Sequence, residues 1–280
     1  MSPLQRSAPA PGLRVGTSPA QAGWEYLSFW VHALAPGESW QGRPRAQEWL
    51  LIPLRGAAGA KAGGIQRRLQ RAGVFAELPT VLYLPPGEEV ELQALEAFEF
   101  ALGAAPASGS YPLRWIAPGE MRVELRGGAN ALRQVTHLLA PPLPAERLIA
   151  YEVYTPSGNW SGWPPHRHDR KLASPYLEET YYYQIDPPTG AAIHHNYDET
   201  ASELFLVRSG DLVLVPGGYH PVAAQPGSNV YYLNLLAGEL QGEERARAPV
   251  DDPHWAWMRG EWGGRPQRLP IGGEGDAPAD

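Results

Sequence analysis

The sequence predicts an all-β protein with two β-barrels and few helices. Three observations favour this fold. First, 31 glycines and 30 prolines stand between short apolar runs, and such residues mark turns at close intervals. Second, those runs are rich in Val, Leu and aromatic residues, which favour strands. Third, prolines at this density would interrupt most helices. The length of 280 residues fits one large domain or two domains of ordinary size.

The strand candidates form two groups of similar style. In the first half they are residues 24–34, 48–54, 81–84, 90–94 and 96–102, and in the second half residues 148–154, 179–185, 203–207, 211–215 and 230–236. Short strands separated by turns are typical of sandwiches and barrels. We therefore predict an N-terminal barrel over residues 20–145, a C-terminal barrel over residues 146–262, and flexible tails over residues 1–19 and 263–280.

Composition excludes several classes of protein. The formal net charge is −7 and no basic patch stands out, so neither nucleic acid nor an anionic membrane is an expected partner. No run approaches the roughly 18 apolar residues that span a bilayer, and the N-terminus has no apolar signal segment. We expect a cytoplasmic protein with a small-molecule partner, and a homo-oligomer stays open. Since the chain has no cysteine, imidazole and carboxylate groups must hold any metal.

Histidines are concentrated in the second half of the chain. Two of the eight precede residue 145, and the others are His166, His168, His194, His195, His220 and His254. His166 and His168 lie two residues apart, so an extended backbone places both imidazoles on one face, where they can bind the same metal ion. Taken alone, the pair also fits a surface strand with two incidental histidines.

A carboxylate follows this pair of histidines. Glu179 begins the aromatic run ETYYY, and burying a carboxylate is costly unless a cation or hydrogen-bond donors compensate for it. Because side chains alternate along a strand, Glu178 points to the opposite face, and only one of the two can be a ligand. The alternative is an exposed strand end with two solvated carboxylates.

A turn supplies the third part of the pattern. Residues 210–218 have the spacing Gly-x5-Pro-x-Gly, and His220 follows directly. His-x-His, a downstream Glu and this turn with its His form the motif of the cupin superfamily, whose barrels are jelly rolls. Two spacings depart from the motif, because Glu179 lies 11 residues after His168 and a single residue separates Gly218 from His220.

The motif predicts one divalent metal ion in the second barrel. Three nitrogens and one oxygen, without sulfur, suit zinc, iron, manganese or nickel. The predicted ligands are His166, His168, Glu179 and His220. The first half contains no His-x-His, so we expect no metal in the first barrel.

Several other residues are candidates for chemistry or substrate binding. Besides Glu179, the catalytic candidates are Tyr181, on the same predicted face, and Glu152, a general-base candidate on a predicted inner strand. Tyr183 shares the Glu179 face and either contacts substrate or lines the core. Arg170 and Lys171 either bind an acidic group or belong to a solvated loop. Structural roles are expected for the other histidines of the second half, His194, His195 and His254.

Longer stretches of the second half resemble one enzyme family. Residues 152–169, EVYTPSGNWSGWPPHRHD, are similar to the signature of the 5-deoxy-glucuronate isomerases of bacterial myo-inositol catabolism. The runs LEETYYYQI, DLVLVPGGYHPV, YYLNLLAG and DPHW resemble the same family in the same order, and GVFAELPTVLYLPPG at residues 73–87 matches its style. The resemblance covers roughly residues 20–262. Gly162 departs from it, since the family usually has Ser there.

The resemblance implies a bicupin that converts 5-deoxy-D-glucuronate to 2-deoxy-5-keto-D-gluconate. The related 4-deoxy-5-keto-uronate isomerases bind zinc in the second barrel, and their ligands fall on the same three histidines and Glu179. Zinc is therefore the first choice of metal, since a Lewis acid stabilises the negative charge that develops during aldose–ketose isomerisation. A cupin fold does not fix chemistry, so an Fe(II)-dependent dioxygenase and a non-enzymatic protein that binds a sugar acid remain the alternatives.

Overall fold

The computed structural model describes residues 2–262, and it confirms the predicted all-β class. Within this range the α-helix is a single turn, α1 (Pro19–Ala22). Short 3-10 turns lie at Pro118–Glu120, Ala129–Ala131, Lys171–Ala173, Gly242–Ala246 and Ala256–Arg259. No helix among the described residues is long and apolar enough to cross a membrane.

Ten strands form before residue 120. They are β1 (Leu4–Gln5), β2 (Gly12–Thr17), β3 (Ser28–Leu34), β4 (Ser39–Gly42), β5 (Gln47–Ala62), β6 (Ile65–Arg71), β7 (Val81–Leu84), β8 (Val90–Ala94), β9 (Phe98–Pro106) and β10 (Arg114–Ile116). All but β1 belong to one antiparallel sheet, in which the order β10-β7-β5-β9-β3-β2 is extended by β4, β6 and β8. This curled sheet forms the first barrel.

The strands of the second half form a separate barrel. They are β11 (Arg122–Arg126), β12 (Arg133–Leu139), β13 (Ile149–Thr155), β14 (Trp160–Ser161), β15 (His166–Arg167), β16 (Leu177–Asp186), β17 (Ala192–Tyr197), β18 (Ser202–Val207), β19 (Leu212–Val215), β20 (Val222–Ala224), β21 (Asn229–Gly238) and β22 (Val250–Asp251). A seven-stranded sheet has the order β1-β19-β16-β21-β13-β12-β11, and a four-stranded sheet has the order β14-β20-β17-β18. The short pair β15-β22 completes the barrel.

One long strand bends so that the first sheet can close. The first part of β5 pairs with β7 and β9, and its second part pairs with β6 and β8. The change of partner strands occurs at Gly56, whose φ is +88°. A Cβ added there would lie 1.9 Å from the carbonyl oxygen of Ala97. Only glycine tolerates both the positive φ and the close approach of the backbone.

The two main sheets pack against each other through a shared apolar core. This inter-sheet core contains buried side chains from both halves, among them Leu50, Ile52, Leu138, Leu233 and Leu235. Each barrel also has an interior core of its own. The central strands β13, β16 and β21 of the seven-stranded sheet are therefore largely buried on both faces, one toward the inter-sheet core and one toward the interior of the second barrel.

The N-terminal residues differ from the sequence-based expectation of a flexible tail over residues 1–19. Strand β1 pairs with β19 of the second barrel, and β2 pairs with β3 of the first. The side chain of Arg6 also forms an ion pair with the buried Asp211. Backbone hydrogen bonds and this ion pair hold the segment in place. The other expected tail, residues 263–280, lies outside the described residues.

The chain passes from the first sheet to the second earlier than the sequence suggested. Strand β10 pairs with β7 of the first barrel, whereas the hairpin β11–β12 joins the edge of the seven-stranded sheet through β13. The crossing therefore lies between residues 116 and 122, upstream of the boundary predicted near residue 145. This shift gives the second barrel two additional strands, and both line its cavity.

Candidate metal centre

Three of the four predicted ligands meet inside the second barrel. His168 follows β15, Glu179 lies on β16, and His220 follows the turn after β19. One carboxylate oxygen of Glu179, Oε2, is 2.8 Å from Nε2 of His168 and 3.1 Å from Nε2 of His220. All three residues are buried, and one candidate ligand atom from each lies within 4.8 Å of the other two. Side chains from separate segments thus converge on one point.

The hydrogen bonds of the two imidazoles fit a metal ion. Nδ1 of His168 donates to the carbonyl oxygen of Leu177 at 2.8 Å, and Nδ1 of His220 donates to that of Gly218 at 3.0 Å. A neutral imidazole protonated at Nδ1 presents a lone pair at Nε2, so both lone pairs face the Glu179 carboxylate. Nε2 of His220 is buried, and no residue in the range 2–262 gives it a hydrogen bond. A cation between these atoms would satisfy all three.

Electrostatics keep the carboxylate charged and one neighbouring imidazole neutral. Burial alone would raise the pKa of Glu179, but the adjacent imidazoles of His168 and His220 outweigh burial and hold that pKa well below its ordinary value. Burial, together with the nearby His220 and His168, lowers the pKa of His166 to about 3. An ionised carboxylate and a neutral imidazole are the protonation states that bind divalent metals.

His166 lies beside the cluster rather than inside it. Its ring centroid is 5.0 Å from that of His220 and 6.4 Å from that of His168. It lines the same cavity as His168 and Glu179, but its ring nitrogens do not join the group of ligand atoms within 4.8 Å. Its Nδ1 is 3.4 Å from the carbonyl oxygen of Pro164. The fourth predicted ligand is therefore adjacent to the other three.

The loop after His168 fixes the turn that carries His220. Asp169 accepts two hydrogen bonds from the buried Arg167, at 2.9 and 2.8 Å, and one from the backbone N–H of Gly218 at 2.9 Å. Gly218 has a φ of +76°, and an added Cβ would lie 2.4 Å from the carbonyl oxygen of Tyr197. Glycine at this position and the Asp169 carboxylate together position His220.

A cavity of about 450 Å³ opens in front of the cluster. Its walls come from the seven-stranded sheet and from the segment after β21. The polar residues that line it besides the predicted ligands are Arg122, Arg126, Arg133, His137, Tyr151, Tyr181, Tyr232, Asn234, Glu243 and Arg247. A space of this size with convergent polar groups suits a small polar molecule.

The two candidate tyrosines of the ETYYY run, Tyr181 and Tyr183, have different positions. Tyr181 lines the cavity, and burial and the charge of Glu179 raise its pKa well above the ordinary value, so its hydroxyl stays protonated. The hydroxyl of Tyr183 is 2.7 Å from Nδ1 of His194, deep in the barrel interior. His194 is fully buried, in keeping with the structural role expected for it. Only the first tyrosine is placed to contact a ligand in the cavity.

Glu152 does not lie in this cavity, which corrects its prediction as a general-base candidate. It projects from β13 toward the first barrel, where its carboxylate is 2.6 Å from the guanidinium of Arg71. The hydroxyls of Tyr154 and Tyr231 also donate to it, at 3.1 and 2.8 Å. The neighbouring Tyr151 and Val153 take the cavity face instead. Glu152 is the centre of a buried ion pair between the halves.

Arg170 and Lys171 are also outside the cavity, so the structure corrects their prediction as substrate-binding residues. The Arg170 guanidinium forms an ion pair with Glu239 at 2.9 Å and stacks on the ring of Tyr176. Lys171 lies 3.4 Å from both Asp198 and Glu199. Both side chains are about half exposed. Their charges are compensated on the outer surface.

Three of the four arginines that line the cavity, Arg122, Arg126 and Arg133, belong to the hairpin β11–β12. The sequence analysis missed them because it predicted no strand between residues 102 and 148. The run RVELR at residues 122–126 alternates charged and apolar side chains with the period of a strand. That alternation predicts one charged face, but it does not show which surface the face covers.

These features define a cupin-type protein with a candidate metal centre in its second barrel. A solved iolb-like protein from Salmonella typhimurium superposes with a TM-score of 0.86 at 36% identity, over 91% of this chain and 98% of its own. Oxalate decarboxylase from Bacillus subtilis superposes with a TM-score of 0.60 at 13% identity, over 89% of this chain and 78% of its own. The latter likeness bears on the fold alone, and it supports the bicupin prediction.

Sequence similarity identifies the family. Residues 4–258 match the KduI/IolB family, and the chain belongs to it. A 5-deoxy-glucuronate isomerase of Geobacillus thermodenitrificans is 42% identical over 253 residues, which are 87% of this chain and 90% of the relative. The enzyme of the same name from Bacillus licheniformis is 35% identical over 241 residues, 83% of this chain and 88% of the relative. The family resemblance seen in the sequence is confirmed.

Proposed function

We propose that this protein is a metal-dependent aldose–ketose isomerase that converts 5-deoxy-D-glucuronate to 2-deoxy-5-keto-D-gluconate in myo-inositol catabolism. The chain belongs to the KduI/IolB family, and relatives that match most of its length are named 5-deoxy-glucuronate isomerase. It is therefore an isomerase. The substrate and the metal are the proposal. The observation that carries the metal is the pair of imidazole Nε2 atoms turned toward one buried carboxylate in a sugar-sized cavity.

Each proposed role follows from the position of a side chain. His168, Glu179 and His220, with His166 beside them, would hold one divalent ion, zinc first and manganese, iron or nickel as alternatives. Such an ion supplies a Lewis acid that stabilises negative charge on substrate oxygens. Tyr181 presents a protonated hydroxyl to the same space and would donate a hydrogen bond to substrate. A cytoplasmic location and self-association stay predictions from the sequence.

The proposed reaction needs no outside oxidant. An aldose–ketose isomerisation moves hydrogen from the carbon that bears the hydroxyl to the neighbouring carbonyl carbon, and the hydroxyl proton is returned to the new hydroxyl. One carbon is oxidised and the next is reduced, so the electrons balance within the substrate. Dioxygen consumption is therefore the property that separates this function from that of a cupin dioxygenase.

The test is to incubate metal-loaded protein with 5-deoxy-D-glucuronate under nitrogen and to follow the ketose by NMR. We expect ketose to form at the same rate with and without air, to stop after chelation, and to return when divalent metal is added. A rate that depends on oxygen would assign the protein to the dioxygenases. Binding of the sugar acid without turnover by fully metallated protein would make it a binding protein, and both outcomes overturn the proposal.

A further inference from the structure

Arg133 is a buried cation without a matching anion. Arg133 is 9% exposed, and its guanidinium donates a hydrogen bond to the carbonyl oxygen of Ala131 at 3.1 Å. No carboxylate within residues 2–262 forms an ion pair with it. Burial, and to a smaller extent the charge of Arg126, lowers its pKa. An unpaired buried charge is costly for a folded protein, so its presence calls for a compensating ligand.

The neighbouring charges do not compensate Arg133. Strand register places Arg126 opposite Arg133, and Arg122 opposite His137, on the cavity face of the β11–β12 hairpin. Glu124 lies between the two β11 arginines and forms ion pairs with both, at 3.6 Å in the case of Arg122. One carboxylate thus serves two exposed guanidinium groups. The third guanidinium of the hairpin, that of the buried Arg133, has no carboxylate partner in the described part of the chain and can bind an anion in the cavity.

The hairpin turn packs closely on this guanidinium. Gly127 has a φ of +78°, and an added Cβ would lie 2.7 Å from Nη1 of Arg133 and 2.3 Å from the carbonyl oxygen of Ala131. The turn therefore leaves no room for a larger residue and restricts the movement of the arginine. A restricted guanidinium loses little freedom when it binds a carboxylate through two parallel hydrogen bonds.

The arginines and the candidate metal ligands face the same small space. Arg126, Arg133 and Glu179 line one cavity, together with Tyr151 and Tyr232. A short molecule can therefore contact the Glu179 cluster at one end and the hairpin at the other. An acidic sugar has its carbonyl and its carboxylate at opposite ends.

We propose that Arg133, assisted by Arg126 across the hairpin, binds the carboxylate of the sugar-acid substrate. The identity of the ligand rests on the function proposed above, but the anion site itself rests on the unpaired guanidinium. The carboxylate would orient the substrate so that its aldehyde end lies at His168, Glu179 and His220. A neutral sugar of the same shape would lack this anchor and would bind more weakly.

The test compares D-glucuronate with its neutral amide, D-glucuronamide, by calorimetry on metal-loaded protein. We expect wild type to bind glucuronate about tenfold or more tightly than the amide, as charged hydrogen bonds allow. Arg133→Gln should remove this preference and leave affinity for the amide unchanged. The exposed Arg43, paired with Glu89 in the first barrel, gives the control Arg43→Gln, which should bind both ligands as wild type does.

Stability supplies an independent readout. Because Arg133→Gln removes an uncompensated buried charge, the Tm of the ligand-free variant should equal or exceed that of wild type. If the variant does not fold, Arg133→Lys decides, since it keeps the charge but loses the planar fork and should bind glucuronate at least about tenfold more weakly. Wild-type affinity in a folded Arg133 variant, or no preference for glucuronate in wild type, overturns the proposal.

The two proposals fail in different ways. If Arg133→Gln forms ketose with the KM of wild type, the proposed anion site is wrong and the proposed isomerase function is retained. A preference for glucuronate that depends on Arg133, in a protein that makes no ketose, would remove the proposed reaction and leave the anion site.

Discussion

Replacing Glu152 by Gln should destabilise the protein while leaving its chemistry intact. The carboxylate and the Arg71 guanidinium are both fully buried, and their atoms are 2.6 and 3.1 Å apart in two parallel hydrogen bonds. Tyr154 and Tyr231 donate to the same carboxylate. The variant keeps the shape of the side chain but removes the charge, so Arg71 becomes a buried cation without an anion.

The magnitude follows from the burial of the pair. Breaking a buried ion pair from one side costs about 3–5 kcal/mol of unfolding free energy. For a protein of this size each kcal/mol lowers Tm by about 2–4 °C, so the fall should lie between about 6 and 20 °C. Replacing both partners, as in Arg71→Met with Glu152→Leu, should recover most of the loss, because no charge is then left unpaired.

Scanning calorimetry of the metal-loaded protein measures the fall in Tm, and ketose formation measured well below the melting range gives kcat. The surface pair offers a matched control, since Glu89→Gln breaks an exposed ion pair with Arg43, worth at most about 1 kcal/mol. An unchanged Tm with a kcat reduced about a hundredfold, the scale of a lost general base, would refute the structural role and restore Glu152 as a catalytic residue.

Two further predictions concern the metal and pH. In elemental analysis, His220→Ala should reduce bound metal from about one ion per chain to a small fraction, as a site with fixed ligands requires. The side chain of His254 is 87% exposed, so the control variant His254→Ala should keep the metal. Full metal occupancy in His220→Ala would contradict the proposed site. Glu146 accepts four hydrogen bonds from Ser108, Gly109 and Ser110, which outweigh burial and lower its pKa. Its stabilisation is therefore complete above the unfolded pKa and is lost as pH falls through the lower folded one, so Glu146→Gln should cost about 2 kcal/mol at pH 7. The cost should shrink below about pH 4, and an equal loss of Tm at pH 3 and pH 7 would contradict it.

Local pattern was enough to predict the strands that carry the candidate ligands. The run after Glu179 alternates as expected. Tyr181 and Tyr183 face the barrel interior, whereas Glu178 accepts hydrogen bonds from the backbone N–H groups of residues 25–27 on the opposite face. The period of two in a strand fixes this separation of faces, whatever lies around the strand.

The sequence by itself determined the all-β class, the family and a metal-ligand motif, because strand period, turn residues and ligand spacing are local properties. Only the tertiary structure decided which polar residues reach the cavity. Both faces of β13 are buried, so no hydrophobic pattern could show that Glu152 turns toward Arg71. Likewise, the position of Arg133 depends on the pairing of β12 with β13, a contact between distant segments. A charged loop residue such as Arg170 shows in the sequence neither which residue it pairs with, here Glu239, nor how far it lies from the cavity.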